Sequence, residues 1–282
     1  MFHNNLGMAL WTFEGPSPAL EVLRGGIDFA RPRGLTGWVV TMSASTIDPL
    51  VDMGQLDEAS ELAKTMLENL QDSGDVFDLL GVRTALVRIM ALRGEADQVV
   101  DQLDWLESTA RTQATPEDIV IGLGSAALAR ASLGQADTAL QLLNEVDAGS
   151  GTRNTQYYPA LLPAMVRTAV SLQHIELATR LVTGVDPTYP YTQHALLAAE
   201  AVLTEARGDN TGAIASYAEA AERLGNFGVV PERAFALLGQ GRCLIAAART
   251  DEASAVLTQA REVFSRLGAT PSLLATDAVL AL

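Results

Sequence analysis

The chain has 282 residues, 48% of them hydrophobic, which is enough apolar material for a sizeable interior and excludes an intrinsically disordered polypeptide. Nineteen lysines and arginines against 34 acids leave a net charge of −15, which repels polyphosphate and argues against nucleic acid or an anionic membrane surface as a direct partner. No run approaches the roughly 18 consecutive apolar residues of a membrane span. The single cysteine, Cys243, can form no internal disulfide, and Met1-Phe2-His3-Asn4-Asn5 lacks the basic and apolar regions of a secretory signal. A reducing cytoplasm is the expected compartment.

Taken in chain order, one junction recurs between predicted helices. The chain starts almost inside a helix, at Asn4-Asn5-Leu6-Gly7, as expected of a segment separated from a longer protein. That helix ends at Glu14-Gly15-Pro16-Ser17-Pro18-Ala19. The next junction is Gly54-Gln55-Leu56-Asp57-Glu58-Ala59. After it, Leu56, Ala59, Leu62, Ala63, Met66, Leu67 and Leu70 fall on one helical stripe. Gln71–Val76 reads as a link, followed by a helix to Gly94-Glu95-Ala96-Asp97-Gln98-Val99. Thr115-Pro116-Glu117-Asp118 combines an N-cap, a first-turn proline and two acids, and opens the helix that leads to Gly134-Gln135-Ala136-Asp137-Thr138-Ala139. Asp147–Gln156 is a second long link.

The later junctions are Gln173-His174-Ile175-Glu176-Leu177-Ala178, Gly208-Asp209-Asn210-Thr211-Gly212-Ala213 and Ala248-Arg249-Thr250-Asp251-Glu252-Ala253. Val230-Pro231-Glu232 and Thr270-Pro271-Ser272 open further helices. Pro271–Leu282 is predicted to close the fold, with Leu273, Leu274 and Leu280 covering the last pair. The final residues of the seven junctions are spaced by 40, 40, 40, 39, 35 and 40 positions, too regular for chance. A glycine can end a helix in the left-handed conformation, and the acid after it meets unpaired N–H groups of the next helix. Gly7, Ala127, Ala201 and Gly241 supply a small residue seven positions before the turn, whereas Ile47, Val87 and Val166 occupy it in the other units. The expectation is 14 or 15 helices in one all-α domain over residues 1–282.

Helix, glycine turn, acid and a small residue five positions on resembles the tetratricopeptide repeat, whose usual unit of about 34 residues is shorter than the units here. That likeness implies a right-handed superhelix of about seven antiparallel helix pairs, an elongated spiral with the first helix of each pair lining a concave groove. A narrower resemblance rests on Asn5-Leu6-Gly7 with Ala9-Leu10-Trp11 and Glu14-Gly15-Pro16, on Leu203–Asp209, on Phe227–Leu244 and on Ala260–Ala269. These stretches are similar to the C-terminal repeat region of bacterial adenylate/guanylate cyclases and LuxR-type regulators that carry an AAA-like ATPase domain. In that family catalysis lies upstream of the repeats. This chain has no Gly-x-x-x-x-Gly-Lys-Ser/Thr loop, so the resemblance implies a regulatory module without the catalytic domains.

Candidate chemistry is sparse. His3, His174 and His194 lack second ligands at metal-binding spacing, so no metal or cofactor is expected. Cys243 reads as buried packing, because Arg242 beside it in sequence diverges by about 100° on a helix. Gly239-Gln240-Gly241 and Gly122-Leu123-Gly124 read as close helix contacts inside amphipathic helices. Asp57/Glu58 and Asp251/Glu252 read as helix-start acids. Trp11, Trp38 and Trp105 are too dispersed for base stacking and read as core or groove packing.

One pattern points to binding. The position six residues before each turn holds Met8, Asp48, Arg88, Leu128, Arg167, Val202 and Arg242. Arg88, Arg167 and Arg242, with the acids Asp48 and Glu205, are the candidate groove residues. Guanidinium groups in such a row can grip the carboxylates of a peptide or acidic ligand, the alternative being ion pairs between neighbouring units. The expected function is a non-catalytic interaction or regulatory module for a protein or peptide, including the cyclase, ATPase or DNA-binding domains of a parent protein. The alternatives are a hydrolase-like enzyme on a helical scaffold, marked by a closed ring of helices with converging carboxylates, and a homo-oligomeric assembly unit.

Overall fold

A computed structural model describes residues 1–70 and 76–282. Among these residues the chain is all helical, with no strand. Helices α1 (Phe2–Phe13) and α2 (Pro16–Ala30) are followed by α3 (Thr36–Ser45), which runs through Thr46 into α4 (Ile47–Asp52). Next come α5 (Leu56–Leu70), α6 (Val76–Arg93) and α7 (Val100–Gln113). α8 (Pro116–Asp118) and α9 (Ser125–Ser132) are the ends of one helical segment, and α10 (Ala136–Ala148), α11 (Tyr158–Ser171) and α12 (Ile175–Val182) follow. The chain finishes with α13 (Pro190–Ala206), α14 (Asn210–Phe227), α15 (Val230–Ala246), α16 (Thr250–Leu267) and α17 (Thr270–Leu280). Successive helices pack against one another, most extensively from α13 to α16.

Local chemistry sets these boundaries. Every junction turns through a left-handed residue: Gly15, Gly54, Gly94, Gly134, Gln173, Gly208 and Ala248 all have positive φ. Thr115 caps its helix as expected, its Oγ1 accepting from the Asp118 N–H at 3.1 Å. The position seven residues before the turn is buried in every unit. An added Cβ at Gly7 would lie 2.6 Å from Leu23 Cγ, and at Gly241 2.4 Å from Leu257 Cγ, so these helix pairs approach too closely for a side chain. Of the first predicted link, residues 71–75 lie outside the described residues, and Val76 already belongs to α6. In the second, Thr152–Asn154 forms a 3₁₀ turn and Arg153 pairs with Asp147.

Three expectations need correction. Ile119–Gly124 is π-helical, although the close helix contact expected at Gly122 is present, an added Cβ there meeting Ala110 Cβ at 2.7 Å. Leu274 is 64% exposed, and α17 instead buries Thr276 and rests Leu273, Val279 and Leu280 on the core. Trp38 is surface-exposed, whereas Trp11 is wholly buried.

The largest difference concerns shape. An elongated spiral is not what forms, because the N-terminal third lies against the C-terminal third: α1 touches α13, α4 touches α15 and α6 touches α17. Trp11 packs edge-on to Tyr191 at 5.7 Å, and Tyr191 packs on Phe227 at 5.4 Å. Arg93 Nε donates to the Leu267 carbonyl across the same seam. The accessible surface of 12048 Å² matches the about 11,600 Å² of a compact 29.8 kDa protein. Large apolar side chains drive the closure, since burying one contributes about 1.5–3 kcal/mol.

A candidate ligand cavity

The coil lines a half-open cavity of about 770 Å³, within the size range of small-molecule sites. Its walls come from α4, α6, α9, α11, α13, α15 and α17; α2, α5, α7, α10, α12, α14 and α16 contribute no lining residue. The reason lies in helical phase. The position seven residues before each junction faces the core, so the next residue, rotated by about 100°, faces the interior space. Arg88, Leu128, Arg167, Val202 and Arg242 all line the cavity from that position. Met8 and Asp48 occupy it in the first two units and line a small neighbouring hollow of about 40 Å³, which Arg88 also borders.

The structure thus gathers Arg88, Arg167, Arg242 and Glu205 around one space and sets Asp48 directly behind Arg88. It also gives each arginine an acidic partner. Arg88 Nη1 donates to Asp48 Oδ1 at 2.8 Å. Arg167 donates from Nη1 and Nη2 to the two oxygens of Glu232, at 2.5 and 2.8 Å, and stacks 3.9 Å over the Phe235 ring. Arg242 donates from Nε and Nη2 to Glu205, both at 2.7 Å, and the same carboxylate accepts from the Tyr217 hydroxyl. A row of three free guanidiniums is therefore not present. Arg167 and Arg242 form two-point ion pairs between units, and Arg88 forms a one-point pair.

Asp52, which sequence reasoning did not single out, stands on the cavity wall 4% exposed. Its Oδ2 accepts from Trp11 Nε1 at 2.7 Å and from the Tyr191 hydroxyl at 2.8 Å, joining α1, α4 and α13. Burial pushes its carboxyl up to about 7, against the pull of Arg88 and the two hydrogen bonds. Asp48 is raised too, again by burial, and Arg88 opposes the shift. The available signal was spacing: Asp48 and Asp52 are four residues apart on an otherwise apolar helix, hence on one face. Glu232 and Phe235 were also missed as site residues, because Glu232 reads locally as a helix-start acid and nothing in sequence ties it to Arg167.

The rest of the lining is mostly apolar, including Leu92, Leu161, Val170 and Leu238. Cys243 lies behind the wall, 1% exposed, with its thiol pushed up to about 12 by burial, so it is held protonated. His174 is exposed at the start of α12, and the His194 ring packs edge-on to Phe227 at 5.0 Å. Among the described residues no three His, Cys, Asp or Glu side chains converge on a metal-sized point. No described helix is long and apolar enough to cross a membrane. No protein-family model matches the chain, and no curated protein matches it significantly.

Proposed function

We propose that this chain is a non-catalytic helical-repeat module of the tetratricopeptide kind that binds a peptide or acidic ligand of similar size in its interior. On this reading, residues 1–282 form a right-handed superhelix of about seven antiparallel pairs, working in the cytoplasm. Occupancy of the interior is passed to partner domains, such as the cyclase, ATPase or DNA-binding domains of the proteins it resembles. One observation carries the reading: from the second junction on, the cavity is walled by the first helix of each pair together with α17, and a single position of the sequence pattern lines it in five of the seven units. The mostly apolar lining with a few oriented charges is the usual make-up of a ligand site.

The test is selection from a displayed peptide library. Ala164 lines the cavity from α11, one turn before Arg167, and is itself no member of an ion pair, so Ala164→Trp fills the space from that wall. Peptides selected on the natural chain should bind Ala164→Trp at least about tenfold more weakly at unchanged helicity. Undiminished affinity, or failure to select any peptide, would overturn the peptide reading.

A second reading, a hydrolase-like enzyme, draws on the closed coil and on Asp52, a desolvated carboxyl near neutrality on the wall. Against it, Glu205 and Glu232 are each tied to an arginine, and the lining hydroxyls of Ser132 and Ser171 donate to backbone carbonyls of Ala129 and Thr168. A separate surface, the exposed Met1, Phe2, Phe29, Leu35 and Trp38 at the N-terminal end, supports self-association. Light scattering that finds a monomer at high concentration would remove that part of the proposal.

A further inference from the structure

The three cavity arginines are not equivalent. Arg167 and Arg242 each seat a carboxylate on a two-donor edge of the guanidinium. Arg88 gives only Nη1, to Asp48, which lies on the side of the small hollow. Its Nε–Nη2 edge, the edge that meets a planar carboxylate with two parallel N–H groups, has no protein acceptor among the described residues. Arg88 lines the large cavity, and so does Asp52, whose Oδ2 accepts two hydrogen bonds while its Oδ1 has no side-chain donor among the described residues.

Resting on the cavity being a binding site, we propose that its ligand is a small amphiphilic monocarboxylate. Its anionic group sits on the open edge of Arg88 beside Asp52, and its apolar body lies among Leu128, Leu161, Val202 and Phe235. The wall charges favour this class over its opposites. Arg88, Arg167 and Arg242 face Asp52, Glu205 and Glu232 across the lining, three against three. Glu205 and Glu232 are already neutralised by two-point pairing, which leaves Asp52 as the one wall acid not paired to an arginine, and there the charge of Arg88 works against an ammonium group. A purely apolar ligand would strip water from the Arg88 edge and return nothing, which costs affinity.

The proposal carries a proton signature. Two carboxyl groups within hydrogen-bond reach share one proton, so the bound anion draws a proton from solvent onto Asp52, whose O–H then donates to the ligand. The groups facing Asp52 leave it as the acceptor of that proton. Asp48 on α4 is held by Arg88 on α6, and Glu232 on α15 by Arg167. Tyr191 on α13 and Tyr157 before α11 are raised by burial far above neutrality. Affinity should therefore fall as pH rises above about 7, approaching tenfold per unit.

Calorimetric titration of the intact chain with octanoate, 1-octanol and octylamine tests this. Octanoate should bind at least about tenfold more tightly than either matched probe at pH 6.5. It should weaken at pH 8.5, and at that pH take up close to one proton, read in buffers of different ionisation enthalpy, with less uptake at pH 6.5, where Asp52 is already largely protonated. Arg88→Lys keeps the charge beside Asp48 but loses the two-donor edge, and should weaken octanoate about tenfold while leaving octanol unchanged. Equal binding of octanoate and octanol, or an Arg88→Lys variant with undiminished octanoate affinity, overturns the carboxylate assignment and leaves the cavity reading standing. Octanoate binding that survives Ala164→Trp places the ligand elsewhere and overturns both. If no probe binds, the monocarboxylate is ruled out, and the peptide selection judges the cavity separately.

Discussion

A left-handed turn is a demand on one residue, and two of the seven junctions meet it without glycine. Gln173 (φ 64°) and Ala248 (φ 57°) adopt a conformation in which an L side chain costs roughly 1–2 kcal/mol. Ala248→Gly should relieve that strain, less the extra freedom glycine gives the unfolded chain, for a net gain of about 0.5–1 kcal/mol. A higher urea midpoint at unchanged slope would show it; a lower midpoint would mean that the left-handed turn carries no strain there. The candidate site was half legible at this scale. Arg88, Arg167 and Arg242 could be picked from their common position, with Asp48 and Glu205 beside them, whereas Glu232 and the pairings themselves could not. Asp48 and Arg88 are 40 residues apart, and Arg167 and Glu232 are 65 apart.

At the scale of the element, the junction glycine has one task in some units and two in others. Gly134 and Gly208 need only their positive φ, since an added Cβ would meet nothing within 4 Å. Gly15 also carries the next turn of the coil on its bare face, where a Cβ would stand 2.2 Å from the Phe227 carbonyl oxygen. Gly134→Ala should therefore cost about 1–2 kcal/mol and Gly15→Ala about 3 kcal/mol or more, because backbone cannot rotate aside as a side chain can. Thermal unfolding of the two variants side by side is the check, and equal losses would show that the seam does not depend on Gly15. Helix limits, caps and glycine turns were readable because they answer to neighbours within four residues. The π-helical stretch at Ile119–Gly124 was not, since it depends on how closely Gly122 approaches Ala110 on another helix.

For the whole molecule, Asp52 is the buried polar link between the two ends of the coil, beside the half-buried Arg93–Leu267 hydrogen bond. Burial raises its carboxyl from 3.8 to about 7 in the folded state, so the folded chain binds more protons than the unfolded chain between those values. The sign follows: its contribution to stability is greatest below about pH 4, declines as pH rises to about 7, and is level above that. Asp52→Asn keeps an oxygen to accept from Trp11 and Tyr191 while removing the buried charge. The variant should lose less stability than the natural chain between pH 4 and 7, and should be the more stable of the two at pH 8. Asp48, also raised by burial, retains part of the slope. Denaturation midpoints across that range decide it, and identical pH profiles would show that Asp52 is solvated.

The sequence by itself determined the all-helical class, the positions of the seven junctions and the side of each helix that faces inward. These follow from backbone sterics, capping and 3.6-residue periodicity, which act within a few residues. Only the tertiary structure decided that the coil closes, with Trp11 on α1 and Tyr191 on α13 meeting at Asp52, and that two of three arginines are already occupied. Those outcomes depend on the small rotation between successive helices, summed over several of them. A few degrees per unit separate an open spiral from one whose turns touch, and no local stretch of sequence encodes that sum.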